Sequence, residues 1–174
     1  VIDSLDDGTV KILDVSKNIS LYEILHDEDN DEHTHNIEPH IWTSPKNAKI
    51  MVQNILEAII EIDPDNKEFY ENNAQNYLNE LEKLDKNIKE VVLNAKRNKI
   101  YFASRFAFYY FVRDYNLEYV SIFDSCADEA EPSIKDITNL INDIKHNNIP
   151  VIYYQELTDT NVAQTIAKET NVRT

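Results

Sequence analysis

The sequence predicts an α/β protein whose carboxyl-terminal half carries a parallel sheet. Three short runs rich in β-branched and aromatic residues alternate there with helical stretches, an order that is typical of parallel sheets covered by helices. A long amphipathic pattern, which predicts a helix, precedes them. With 174 residues and 42% hydrophobic side chains, the chain can form one domain or two small ones with buried cores.

The amino-terminal part of the chain combines a short apolar run with a polar segment. The run Val10–Val15, VKILDV, predicts a short strand. Residues 26–39 are polar, charged and without helical or strand periodicity. They are therefore predicted to form a loop.

Two helices are predicted after this loop. Ser44–Pro45 supplies a cap and a first-turn proline, and apolar residues then recur at helical spacing to about Ile62. Asp63–Pro64 repeats the start signal, and apolar residues at alternating steps of four and three continue to Ala95. Some thirty residues at ~1.5 Å each would span roughly 45 Å, which is long for a helix inside one compact domain. The length favours a strut that joins two lobes.

Strands and helices alternate beyond this long helix. The predicted strands are IYFA at 100–103, EYVSIF at 118–123 and PVIYY at 150–154. The predicted helices cover 106–115, 133–146 and about 160–169. Ser133 opens the second of these, with Asp136 three positions on in an arrangement like a capping box. The last helix should lead into a further strand, so we expect the chain to be a fragment of a longer protein.

The composition restricts the possible partners of the protein. A net charge of −15 argues against binding to nucleic acid or to anionic membranes. It fits either a soluble acidic surface or a protein that meets cations. One cysteine, Cys126, excludes an internal disulfide and a zinc cluster made of cysteines alone. No run approaches the ~18 apolar residues of a membrane span, and the first residues do not resemble a signal peptide. If the protein is exported, its export signal has been removed.

Three of the five histidines lie in the stretch HTHNIEPHIW. His33 and His35 can point the same way in an extended segment, and acidic histidine-rich tracts capture zinc or copper weakly. A solvated loop explains this pair equally well. His40 lies between Pro39 and the apolar Ile41, where the chain enters a helix, and this setting would hold its ring in place. We therefore take His40, His35 and His33 as candidate metal ligands.

The sequence around His40 also resembles a known family. EPHIWTSPKNAKIMVQNI, followed by DPDNKEFYENNAQNYLNEL, resembles the D-P-H-x-W-x-S-P-x-N-A block of the metal-binding lipoproteins of bacterial ABC importers, and the resemblance continues over 127–170. It implies a two-lobed fold like that of periplasmic binding proteins, with a long helix joining the lobes and a metal in the cleft. It also implies a division into a partial amino-terminal lobe (1–62), a linking helix (63–97) and a truncated carboxyl-terminal lobe (98–174). The histidine-rich loop is typical of the zinc-type branch.

The resemblance is incomplete at the expected metal ligands. It implies one ligand before this chain and another after Thr174. At a third position the family pattern F-x-S-H-x-A-F-x-Y is replaced by FASRFAFYY, so Arg105 stands where a ligand is expected, and a guanidinium cannot bind a cation. A branch with R-F-x-F, and with a cysteine before an E-x-E run, looks closer. It would offer Cys126 or Glu129 as a substitute ligand. Glu129 could equally pair with Arg105. Glu131 lies next to a predicted helix start, and stabilisation of that helix end explains it better than metal binding does.

The resemblance implies an extracytoplasmic receptor without enzymatic activity. Such a receptor captures Zn²⁺, or Mn²⁺, and delivers it to an ABC importer permease. It is expected to be a monomer, anchored to lipid through an amino terminus that precedes this chain. A zinc-dependent hydrolase is the alternative, but the chain has no H-E-x-x-H motif. A nucleotide-binding module would need a glycine-rich turn, and Gly8 is the only glycine.

Overall fold

The structure, a computed structural model, divides into two compact units, Val1–Val91 and Val92–Thr174. The boundary falls near the carboxyl end of the longest helix. Within the part of the chain that the structure describes, no helix has both the length and the apolar character needed to cross a membrane. The described residues are 10–24, 36–123, 132–156 and 160–174.

Unit 1 is built on two helices, α1 (Pro45–Ile62) and α2 (Lys67–Leu93). The predicted start of α1 is confirmed, because the buried hydroxyl of Ser44 accepts a hydrogen bond from the N–H of Asn47 at 3.1 Å. A 3₁₀ turn, Pro64–Asn66, separates the helices, so α2 begins slightly later than predicted. The 27 residues of α2 span roughly 40 Å at ~1.5 Å per residue.

The apolar run before α1 does not form the predicted strand. Residues Val10–Val15 have no regular secondary structure, and the run pairs with no strand among the described residues. The carbonyls of Val15 and Lys17 instead accept hydrogen bonds from the side chain of Asn54 on α1, both at 2.9 Å. The prediction was wrong because apolar composition alone does not provide the neighbouring strand that a β-strand needs.

The end of the predicted loop 26–39 is also more ordered than its sequence suggests. β1 (Glu23–Ile24) pairs antiparallel with β2 (Asn36–Ile37). The N–H of Glu38 continues the connection by donating to the carbonyl of Tyr22 at 2.9 Å. Unit 1 therefore holds the chain immediately before His40 against a segment that is distant in sequence.

The parallel sheet predicted for the carboxyl-terminal half is confirmed in unit 2. β3 (Lys99–Phe102) and β4 (Glu118–Ser121) form a parallel pair in which Lys99 lies opposite Glu118. The predicted strand at 150–154 is reduced to isolated parallel bridges, which link Phe102 to Tyr153 and Val151 to Arg173. The second bridge lies just beyond the last helix, where a further strand was expected.

Three helices accompany this sheet: α3 (Tyr109–Asp114), α4 (Ile134–His146) and α5 (Asn161–Thr170). The capping box at the start of α4 is confirmed, because the Ser133 hydroxyl accepts the N–H of Asp136 at 3.2 Å and the Asp136 carboxylate accepts the N–H of Ser133, also at 3.2 Å. β3, α4 and α5, together with adjoining segments, enclose a buried apolar core. Its members include Tyr101, Ala103, Ile122, Leu140, Ile144, Ile149, Ile152, Ala163 and Ile166.

Tyr101 in this core should make unit 2 sensitive to alkali. Burial, together with a hydrogen bond to the Asp143 carboxylate, raises the pKa of Tyr101 from its ordinary 10.0 to about 12. Ionisation therefore favours the unfolded chain, and the stabilisation that is present below pH 10 is lost as the pH rises towards 12. We expect urea denaturation to show this loss for the wild type and a smaller loss for Tyr101→Phe. An equal loss in both would show that other groups control the alkaline response.

Candidate metal centre

His40 lies in the turn that leads into α1. It immediately precedes a 3₁₀ turn, Ile41–Thr43. The carbonyl of His40 accepts two hydrogen bonds from Thr43, one from the N–H at 3.2 Å and one from the hydroxyl at 2.8 Å. The imidazole keeps 25% of its side-chain surface exposed. The backbone is thus fixed while the ring remains accessible to a ligand.

Glu38 contacts the imidazole of His40. Its side chain is fully buried, and its Oε1 atom accepts a hydrogen bond from the N–H of His40 at 3.0 Å. The same oxygen contacts Nδ1 of the ring. Sequence reasoning missed this residue because a glutamate at the end of an acidic segment looks solvated. The sequence feature that could have indicated Glu38 is its position two residues before His40, with Pro39 between them.

Residues on the other side of His40 orient the turn against α1. Trp42 lies with its ring centroid 5.3 Å from that of His40, in an edge-on arrangement at 62°. Ile41 is buried, and its carbonyl accepts a hydrogen bond from the Asn47 side chain at 3.1 Å. Trp42 itself is 56% exposed. The predicted fixed placement of His40 therefore has a structural basis in both of its neighbours.

Arg105 lies beyond the carboxyl end of β3, the edge at which parallel sheets commonly bind ligands. Ser104 before it is tied to two neighbouring segments: its hydroxyl accepts the N–H of Gln155 at 3.1 Å, and its carbonyl accepts the Ser121 hydroxyl at 3.0 Å. Phe106 after it is fully buried. Arg105, between these two residues, is itself partly buried, and it stands at the position where the resemblance implies a metal ligand.

Of the three candidate ligands, only His40 lies in the part of the chain that the structure describes. Within that part, no three histidine, cysteine, aspartate or glutamate side chains are grouped so as to hold a metal ion. His40 can supply one imidazole nitrogen to a metal, and zinc sites have three or four protein ligands. The other residues that the sequence analysis considered as ligands or as charged partners lie outside the described residues: His33, His35, Cys126, Glu129 and Glu131.

Comparison with known proteins gives matches along the whole chain. The family model described as "Zinc-uptake complex component A periplasmic", ZnuA, matches residues 1–174. The high-affinity zinc uptake system protein ZnuA of Bacillus subtilis is 35% identical over 177 residues, covering 98% of this chain and 55% of that protein. The chain thus spans about half the length of this relative.

Solved structures agree with the sequence matches. A crystal structure of ZnuA superposes with a TM-score of 0.80 and 28% identity, over 95% of this chain and 60% of that one. The Zn(II)-bound ZnuA-like domain of Streptococcus pneumoniae AdcA superposes with a TM-score of 0.75 and 31% identity, over 98% and 60% of the two chains. The α/β fold is therefore that of the ZnuA-type binding proteins, and the chain belongs to the ZnuA family of periplasmic zinc-uptake components.

Proposed function

We propose that this chain is part of an extracytoplasmic receptor that captures Zn²⁺ and delivers it to the permease of an ABC importer. His40 is a metal ligand in this proposal, and zinc is the transported cargo. The observation that carries it is a partly exposed imidazole on a rigid turn, in a chain that matches the family model from end to end. Anchoring to lipid and a monomeric state, both expected from the resemblance, belong to the same proposal.

The proposal favours zinc over manganese on chemical grounds. Imidazole is a good ligand for zinc, whereas manganese prefers carboxylate, carbonyl and water oxygens. The relative from Bacillus subtilis is described as a zinc uptake protein, and the AdcA domain was solved with Zn(II) bound. Manganese remains the alternative cargo to be compared in the binding experiment. The hydrolase alternative has no support from the family, whose description is that of an uptake component.

The coordination shell proposed here differs from the family pattern at Arg105. A guanidinium carries only donors, so Arg105 cannot take the place of a ligand. A substitute from the Cys126 to Glu129 segment remains a prediction, as does the division of the chain at residues 62 and 97. The proposal likewise gives α2 the role of the helix that links two lobes.

Metal binding by the natural protein that carries this chain tests the proposal directly. After removal of metal with a chelator, we expect calorimetry to show tight binding of zinc and weaker binding of manganese. Trp42 is the only tryptophan, and its ring lies beside that of His40, so zinc should also change the tryptophan fluorescence. Absence of both signals, with the protein folded by circular dichroism, would contradict the proposal.

The loop histidines are expected to help capture the metal without forming the tight site. Replacing both His33 and His35 with alanine should lower the number of zinc ions bound, or the rate of uptake, because the sequence predicts a loop there and ordering a loop around a metal costs free energy. The affinity of the tight site should change little. Calorimetry that shows loss of the tight site in this double variant would instead make His33 or His35 one of its ligands.

A further inference from the structure

The contact between Glu38 and His40 has features that a simple surface ion pair lacks. The Glu38 side chain has no exposed surface. Its backbone is fixed by the hydrogen bond from its N–H to Tyr22, and Pro39 restricts the chain between the two residues. Burying a carboxylate is costly, and replacing a buried ion pair by apolar residues is often neutral or stabilising. Stability alone is therefore a weak reason for a glutamate at this position.

The geometry sets which nitrogen of the ring is available to a metal. Oε1 of Glu38 already accepts the backbone N–H of His40, so it serves as a hydrogen-bond acceptor. The same oxygen contacts Nδ1, and a carboxylate accepts but does not donate. With Glu38 ionised, Nδ1 is the nitrogen that would donate to it, which leaves the lone pair on Nε2 for a metal. Metal-binding histidines commonly have this arrangement, in which the second ring nitrogen donates to a carboxylate.

We infer that Glu38 is a positioning residue for metal binding: it holds His40 in the form protonated at Nδ1 and presents Nε2 to the zinc. This inference rests on the proposed function, because it assigns a metal to His40. Glu38 does not touch the metal in this arrangement and acts through the imidazole.

Zinc affinity in three variants tests this role. Glu38→Gln keeps the size of the side chain and can still accept the N–H of His40, so the turn should be retained, yet it lacks the negative charge. We expect its zinc affinity to fall by roughly 10- to 100-fold, the usual effect of removing such a partner. Glu38→Asp keeps a carboxylate and should recover most of the affinity. Glu57→Gln, an exposed position on α1, removes the same charge and is the matched control.

Nitrogen-15 NMR of the metal-free protein gives a readout that a purely structural role would not move. At a pH where the ring is neutral, the wild type should show His40 mainly protonated at Nδ1. In Glu38→Ala that preference should be lost. A wild-type ring protonated mainly at Nε2, or zinc affinity in Glu38→Gln equal to that of the wild type, would overturn the inference.

The proposal that His40 is a metal ligand and the inference that Glu38 positions it can be tested separately. If zinc affinity is unchanged in His40→Ala, the proposed ligand is wrong and the inference falls with it. If His40→Ala loses zinc while the protonation of the ring is independent of Glu38, only the positioning role is wrong. Circular dichroism and thermal melting of each metal-free variant establish that the fold is retained before affinities are compared.

Discussion

Replacing His40 with alanine is expected to lower the zinc affinity of the natural protein by about 100-fold or more, since sites of three or four ligands rarely tolerate loss of an imidazole. The zinc-induced rise in melting temperature should shrink accordingly, because that rise depends on binding to the folded state. Isothermal calorimetry and thermal melting with and without zinc measure the two effects. Affinity should also fall in acid, where protons compete with the metal for an imidazole.

The stability of the metal-free His40→Ala protein needs a second variant for its interpretation. From the sequence alone we expect the melting temperature without metal to change little. The structure adds a cost, because the buried carboxylate of Glu38 loses its imidazole partner. The double variant His40→Ala/Glu38→Gln removes that charge and should recover the apo stability without recovering zinc binding. His146→Ala, at the exposed end of α4, is the control for loss of a histidine.

Two results would contradict the assignment of His40. One is zinc binding that is insensitive to both the substitution and acid. The other is a large loss of apo stability that persists in the double variant, which would make His40 a structural residue. In that case HTHNIEPHIW would be a loop with additional histidines.

Replacing Phe106 with alanine is expected to lower the free energy of unfolding of unit 2 by about 3–5 kcal/mol, the range for deleting a buried aromatic ring. Phe106 has 0% exposure. Its ring stacks on Tyr119 with the centroids 4.0 Å apart and meets the edges of Phe102 and Tyr109 at 5.0 and 4.9 Å. Alanine would leave a cavity among these rings. Urea denaturation followed by circular dichroism measures the loss.

A matched substitution on the surface separates this effect from the general cost of losing a phenylalanine. Phe69 at the start of α2 is 63% exposed, so Phe69→Ala should change the free energy of unfolding by about 0.5 kcal/mol or less. Phe106→Leu should fall between the two. A loss below about 1 kcal/mol for Phe106→Ala would mean that the aromatic cluster relaxes around the cavity instead of retaining it.

The starts of α1 and α4 and the strands of the paired sheet follow from local signals. Ser44 and Pro45 specify the start of α1 because a side-chain acceptor and a residue without an N–H satisfy the first helical turn. Ser133 and Asp136 do the same for α4. β3 and β4 are short runs rich in β-branched and aromatic residues, and β3 buries its last two residues, Tyr101 and Phe102. Each of these signals acts within a few residues, and the sequence therefore predicts the elements that they specify.

Pairing and burial could be decided only by the tertiary structure. Val10–Val15 has the composition of a strand yet pairs with none among the described residues, whereas Asn36–Ile37, at the end of a polar segment, does pair, with Glu23–Ile24. The region 150–154 forms isolated bridges instead of a full strand. Whether a segment forms a strand depends on which other segment lies beside it in the fold. That partner segment is distant in the sequence, so local patterns do not reveal it.

The candidate site divides in the same way. The sequence alone predicts His40 as a candidate ligand, because imidazole chemistry and the motif around it are local properties. The role of Glu38 depends on the tertiary structure: the bond to Tyr22 and the packing of the turn bury a carboxylate that an acidic sequence context would leave in water. A residue type determines what a side chain can bind, but the surrounding packing determines which side chains are removed from solvent and held against one another.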